Sequence, residues 1–98
     1  EFEFELEEAA DWYAKHNKKL ASRLLMKVEK TSQRIEANPA AWPEIAAGIR
    51  QLPVEGFPYA VIYAKQPNRL LLLSLAHQSR KPRGWENRLR NEKRPRRP

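Results

Sequence analysis

The sequence predicts an α+β fold in which an N-terminal helix hairpin packs on a small antiparallel sheet. Two observations support this prediction. Residues 6–38 place apolar side chains at helical spacing, with a break near Asn17 and a stop at Asn38-Pro39, where proline cannot continue a helix. Residues 49–77 contain three apolar stretches with short polar turns between them. Connections this short require antiparallel neighbours.

The first 17 residues change pattern once. Glu1–Glu5 alternates glutamate with phenylalanine, a period of two that predicts a short strand or its remnant. From Leu6 the spacing becomes helical, so we expect a first helix from there to about His16-Asn17, with acidic residues near its start. The aromatic pair Trp12 and Tyr13 is interpreted as core or hairpin packing, the usual fate of large aromatic side chains at helical spacing.

The second helix is predicted directly after the first and ends at Asn38-Pro39. Its apolar stripe consists of Leu20, Leu24, Val28 and Ile35. A loop is expected over residues 39–48, which contain two prolines and a tryptophan. That tryptophan, Trp42, either anchors the loop on the core or meets a partner.

Three strands follow, predicted at Ile49–Val54, Tyr59–Ala64 and Leu70–His77. Alternate residues of the middle stretch should face opposite sides of the sheet. Leu70–Leu75 is apolar at five of six positions, which predicts a central strand covered on both faces.

The size of the chain indicates a single domain, because 98 residues bury one modest core. We expect this domain at residues 1–89, followed by a basic, flexible tail at residues 90–98. The chain has no cysteine, no grouped glycines and no cluster of metal ligands, so neither a metal nor a cofactor is expected. No apolar run spans a bilayer and the acidic start differs from a signal peptide, which predicts a cytoplasmic protein with no membrane partner. The chain starts at Glu1 rather than at methionine, which leaves open whether residues precede it.

The net charge of +7 is unevenly distributed. Residues 1–17 carry one lysine against six acidic residues, whereas residues 77–98 carry nine lysines or arginines against two glutamates. We therefore expect an anionic partner to dock at the C-terminal end. A basic nucleic-acid-binding module is one interpretation of this charge, although no known nucleic-acid-binding signature accompanies it.

Several local motifs occur in an order that resembles the RelE/ParE superfamily of toxins, and most closely its ParE-like, plasmid-stabilisation branch. They are Leu6-Glu-Glu-Ala-Ala-Asp-Trp-Tyr13, the helix stop Asn38-Pro39, the strand arginine Arg50, Phe57-Pro58-Tyr59 with Tyr63, and the closing His77-Gln-Ser-Arg80-Lys-Pro82-Arg-Gly-Trp85. This resemblance covers residues 6–88. It implies the toxin of a type II toxin-antitoxin module, neutralised by a cognate acidic antitoxin.

The resemblance leaves two targets open. In the RelE-like branch the toxin enters the ribosome and cuts mRNA, and His77, Arg80 and Arg50 would then form the catalytic set. Many nucleases of that branch carry a tyrosine near the C-terminus, whereas no tyrosine follows Tyr63 here. His77 also has a structural interpretation, because it ends an apolar strand and can bond to the backbone.

In the ParE-like branch the toxin poisons DNA gyrase without a nuclease constellation, and the closing motif favours this target. Contacts with the target or the antitoxin are then expected from Arg80, Arg83, Trp85, Arg88 and Tyr63. Whether the protein is an enzyme depends on this choice.

Overall fold

The computed structural model describes residues 1–78 and places two helices before a four-stranded antiparallel sheet, which confirms the predicted α+β fold. The elements are α1 (Phe2–His16), α2 (Lys18–Ala37), β1 (Glu44–Ala46), β2 (Ile49–Pro53), β3 (Tyr59–Lys65) and β4 (Leu70–His77). Neither helix within these residues combines the length and the apolar character needed to cross a membrane.

One residue, Asn17, joins the two helices. Its backbone N–H donates to the Tyr13 carbonyl at 2.7 Å and closes α1. Its side-chain oxygen accepts a hydrogen bond from the Lys19 N–H at 2.9 Å and caps the start of α2. Such a cap satisfies one of the backbone donors that a helix start leaves unpaired. The hairpin therefore turns within a single residue, as the break in the apolar spacing predicted.

The predicted strand at Glu1–Glu5 is wrong, because α1 already begins at Phe2. Phe2 is buried at 9% exposure and Phe4 is 58% exposed. Phe2 lies one helical turn before Leu6 and therefore extends the apolar stripe of the helix. A five-residue alternation fits a strand and a helix equally, and the stripe that continues beyond it decides between them.

The sheet has the order β1-β2-β3-β4. Within residues 1–78 the interior strands are β2 and β3, the five residues 60–64 of β3 are all buried, and β4 lies at the edge. The prediction that Leu70–Leu75 is central is wrong. The first three residues of β4 are half-buried. Its next three residues are buried, with Leu75 in the main core and Leu73 in the cluster on the opposite face, so an edge strand can be covered on both faces. The three-residue, fully exposed β1 lies in the segment predicted as loop and carries no recognisable pattern.

Each face of the sheet has its own apolar cluster. Val61 and Tyr63 face the helices and join the main core, together with Leu24, Val28 and Ile35 of α2. Ile62 and Ala64 point to the other face, where they pack with Ile49 and Leu73. The alternation along β3 is the one predicted from the sequence.

Candidate functional site along strand β3

Strand β3 connects the described residues that the sequence singled out. Tyr63 pairs with Arg50 of β2, and Tyr59 pairs with His77 of β4. Because Tyr59 and Tyr63 are four residues apart on one strand, they share the helix-facing side of the sheet, and their cross-strand partners share it too. Arg50 and His77 therefore lie on the same face but at opposite ends of β3 and on opposite flanks of it.

The separation of Arg50 and His77 follows from strand geometry. Four residues along β3 and two strand spacings across it place their Cα atoms roughly 16 Å apart. The face between them is filled by the buried side chains of Val61 and Tyr63. The fold does not bring Arg50 and His77 to a common phosphate.

At its own end of the strand, Arg50 holds the segment before β2. Its Nη1 donates to the Trp42 carbonyl, and its Nη2 donates to Glu44 Oε2 at 3.3 Å. The side chain of Glu44 is half exposed, so the ion pair contributes little and the carbonyl contact matters more. The Arg34 guanidinium lies 4.9 Å from the centre of the Trp42 ring. Trp42 itself packs against the core and anchors the loop.

Tyr63 is completely buried beside this arginine. Its hydroxyl donates to the Pro39 carbonyl at 2.7 Å, which ties the end of α2 to the sheet. Burial raises the pKa of Tyr63 above its ordinary value, and the positive charge of Arg50 offsets part of that rise. The phenol is therefore neutral at physiological pH. The sequence suggested Tyr63 as a contact residue, but the structure places it in the core, without surface for a partner.

The opposite end of β3 is built differently. His77 is half-buried and meets the Tyr59 ring edge-on, with ring centres 5.0 Å apart. The next residue, Gln78, donates its backbone N–H to the Pro58 carbonyl at 2.8 Å. The carboxylate of Glu5 accepts hydrogen bonds from the Leu75 N–H at 3.0 Å and from the Ser74 hydroxyl at 3.1 Å. Helix α1 is thereby fastened to β4 beside His77.

A groove opens between α1 and this end of the sheet, and we call it the α1 groove. Its lining combines three carboxylates, one lysine and several rings, from Glu5, Glu8, Ala9, Asp11, Trp12, Tyr13, Lys15, Pro58, Tyr59, Leu75 and His77. Trp12 is 55% exposed, so its interpretation as core packing is wrong. Tyr13 does pack, edge-on against Phe57 at 5.3 Å. The acidic start of the sequence is the signal that points to this groove, because six acidic residues stand against one lysine in residues 1–17.

The second surface that sequence reasoning missed is the outer side of α2. This helix carries six lysines or arginines against two glutamates. Two large apolar side chains, Leu25 and Met26, are 46% and 49% exposed, and Met26 lies one helical turn from Arg23 and from Lys30. Leu25 and Met26 lie beside the apolar stripe rather than in it, which is why spacing alone assigned them no role.

The remaining predicted site residues, Arg80, Arg83, Trp85 and Arg88, lie outside the described residues. Within residues 1–78 no three His, Asp or Glu side chains are grouped as metal ligands would be.

A comparison with known protein families identifies the family to which the chain belongs. Residues 1–82 match the family described as the ParE toxin of the type II toxin-antitoxin system, parDE. No curated protein matches the chain. The match spans both helices and all four strands. The chain therefore belongs to the ParE toxin family and is the toxin of a type II toxin-antitoxin system.

Proposed function

We propose that this toxin arrests growth by poisoning DNA gyrase, and that it acts by binding rather than by acid-base chemistry. The observation that carries the proposal is the position of Arg50 and His77 at opposite ends of β3. Cleavage of a phosphodiester needs a proton acceptor and cations around one phosphorus atom. Two groups roughly 16 Å apart across a filled core face do not supply this arrangement.

The existing contacts of the two residues support the same conclusion. The guanidinium of Arg50 donates hydrogen bonds to Trp42 and Glu44, and the His77 ring packs on Tyr59. A phosphate at Arg50 would compete with the Trp42 carbonyl and Glu44 for the guanidinium. Tyr63, which pairs with Arg50 across the strands, is buried and neutral, and its hydroxyl donates a hydrogen bond to the Pro39 carbonyl.

Contacts with gyrase are assigned to the closing motif of the chain. Arg80, Arg83 and Arg88 provide forked donors, and Trp85 provides a large aromatic anchor. Arginine and tryptophan are the residue types that most often dominate binding energy at protein interfaces.

An acidic antitoxin neutralises the toxin in this proposal, and the outer side of α2 is its docking surface. The exposed cations Arg23 and Lys30 attract an acidic segment and speed its association, whereas Lys27 is already paired with Glu55 at 3.2 Å. Met26, one helical turn from Arg23 and from Lys30, gives that segment an apolar anchor between two cations, and the exposed Leu25 extends it. A disordered segment that folds on binding can cover such a long helix face despite its ordering cost.

The test places purified toxin in two assays, gyrase supercoiling and primer extension on ribosome-bound mRNA. We expect inhibited supercoiling with trapped DNA breaks and uncut mRNA. Arg80→Ala with Arg88→Ala should weaken gyrase inhibition at least tenfold, which corresponds to about 1.4 kcal/mol. The matched control is Lys93→Ala with Arg94→Ala, which removes the same charge from the tail and should leave inhibition unchanged.

Cutting of mRNA at ribosome-occupied codons, abolished by His77→Ala, would overturn the gyrase proposal in favour of an mRNA endonuclease. A third arm adds the acidic protein encoded beside the toxin, which should restore supercoiling. Leu25→Glu with Met26→Glu should raise the antitoxin concentration needed, whereas Phe4→Glu, at a still more exposed apolar residue on α1, should not. Equal effects of both changes would remove α2 as the docking surface.

A further inference from the structure

We propose that the α1 groove binds the chain's own basic segment, residues 80–88. The groove is acidic and aromatic, and the sheet ends beside it. The contact lies within one chain, so the proposal stands whether or not gyrase is the target.

The chemistry of the groove fits a guanidinium group. Glu8 and Asp11 are exposed carboxylates one helical turn apart. Trp12 lines the groove with them, and its ring packs against His16 with ring centres 4.4 Å apart. A guanidinium bonds to a carboxylate through two parallel N–H groups and stacks on an indole face. A single lysine, Lys15, stands among the three carboxylates of the lining. The groove therefore favours a cationic segment over an anionic one.

The occupant is identified by charge and by position. Residues 79–98 carry nine lysines or arginines against two glutamates, and residues 1–17 carry six acids against one lysine. These are the most strongly basic and the most strongly acidic stretches of the chain. Gln78, the last described residue, bonds to Pro58, which itself lines the groove.

The length of the segment is sufficient. Residues 80–88 in an extended form reach up to about 30 Å. Helix α1 has 15 residues and is about 22 Å long. A short tether also raises the local concentration of the segment to the millimolar range, which favours the chain's own segment over that of a second copy.

One consequence concerns the arginines assigned to gyrase. If Arg80 and Arg88 occupy the α1 groove in the free toxin, gyrase has to compete with Glu8 and Asp11 for them. The groove then acts as an internal substitute for an acidic partner.

The experiment uses the absence of cysteine from the chain. Asn87→Cys introduces a single thiol in the full-length protein, and a nitroxide spin label is attached to it. Paramagnetic broadening of backbone amide signals is then measured by NMR on ¹⁵N-labelled toxin. We expect the signals of residues 5–15 to be broadened at low salt. The broadening should be lost in roughly 1 M NaCl, where the Debye length falls to about 3 Å.

Two charge reversals on the same helix sharpen the test. Glu8→Lys with Asp11→Lys should abolish the broadening, whereas Glu3→Lys with Glu7→Lys, exposed positions outside the groove lining, should retain it. Absence of broadening on α1 in the unreversed protein at low salt would overturn the proposal, as would equal loss with both reversals. A mixture of spin-labelled ¹⁴N protein with unlabelled ¹⁵N protein identifies a second copy as the occupant. Broadening in that mixture would also overturn the proposal.

Discussion

The two ends of β3 carry the same cross-strand arrangement, a tyrosine opposite a cationic or titratable side chain. They differ in burial and in the contacts of these side chains. At the Tyr63 end the phenol is buried, and both it and Arg50 bond to backbone carbonyls of the loop after α2. At the Tyr59 end the residues are half-buried and border the α1 groove. The comparison teaches that the chemistry of a side chain alone does not distinguish a residue of a binding site from a residue that stabilises the fold. The contacts that each side chain makes distinguish them.

This difference predicts unequal costs of truncation. Tyr63→Ala should lower the free energy of unfolding by about 3–5 kcal/mol, because it leaves a cavity in the core and frees the Pro39 carbonyl. His77→Ala at the other end removes one edge-on ring contact and should cost about 1 kcal/mol. Urea denaturation followed by circular dichroism measures both.

The antitoxin is left out of these measurements, because binding would stabilise the folded state by itself. Similar losses of unfolding free energy in Tyr63→Ala and His77→Ala would show that the Tyr59 end is also part of the structural core.

The next effect concerns Arg50. Arg50→Ala should lower the free energy of unfolding by about 1–3 kcal/mol, since it leaves the Trp42 carbonyl without its charged donor. Arg50→Lys keeps the charge but cannot contact Trp42 and Glu44 together, and should recover only part of the loss. Thermal unfolding of the unsubstituted protein, Arg50→Lys and Arg50→Ala gives their order of stability.

Growth arrest should remain in the Arg50→Ala toxin when it is compared at equal amounts of folded protein. Complete loss of arrest in a fully folded Arg50→Ala protein would place Arg50 in the toxic mechanism and contradict its structural assignment.

The smallest effect is a pH dependence. The folded protein keeps the Tyr63 phenol protonated at pH values where the unfolded chain ionises, because burial raises its pKa above the ordinary 10.0. The unfolded state then binds fewer protons, so stability falls as the pH rises through about 10 toward the folded pKa. Tyr63→Phe should cost about 1 kcal/mol at neutral pH through loss of the bond to Pro39, and should lack this alkaline decline.

The measurement is the difference in unfolding free energy between the two proteins from pH 7 to about 11. The lysines titrate in the same range and cancel in that difference. A difference that stays constant with pH would show that the Tyr63 phenol titrates normally.

Much of the fold was predictable because its signals extend over many residues. The stripe of α2 continues for twenty residues and ends at a proline, and the two faces of β3 follow from simple alternation. Short or isolated sequence patterns did not predict the local structure correctly. The alternation around Phe2 was too brief to distinguish a strand from a helix, and β1 has three exposed residues without any pattern.

The site was predicted less well, because composition does not state which groups meet. For an mRNA endonuclease the sequence suggested His77, Arg80 and Arg50 as the catalytic set. The strand register places Arg50 and His77 at opposite ends of β3, and Arg80 lies outside the described residues. The exposure of Trp12 depends on which side of α1 faces the sheet. Tyr13 and Ala9 occupy that side and leave Trp12 beside the groove.

The carboxylate of Glu5 has a consequence for solubility. An edge strand offers backbone amides that a strand from another molecule can pair with, which is a common route to aggregation. Because Glu5 accepts the Leu75 N–H, that amide is denied to an incoming strand, and the charge of the carboxylate repels the carbonyl oxygens that would approach it. Within residues 1–78, a helix residue thus occupies a backbone donor of the edge strand and hinders its pairing with a second molecule.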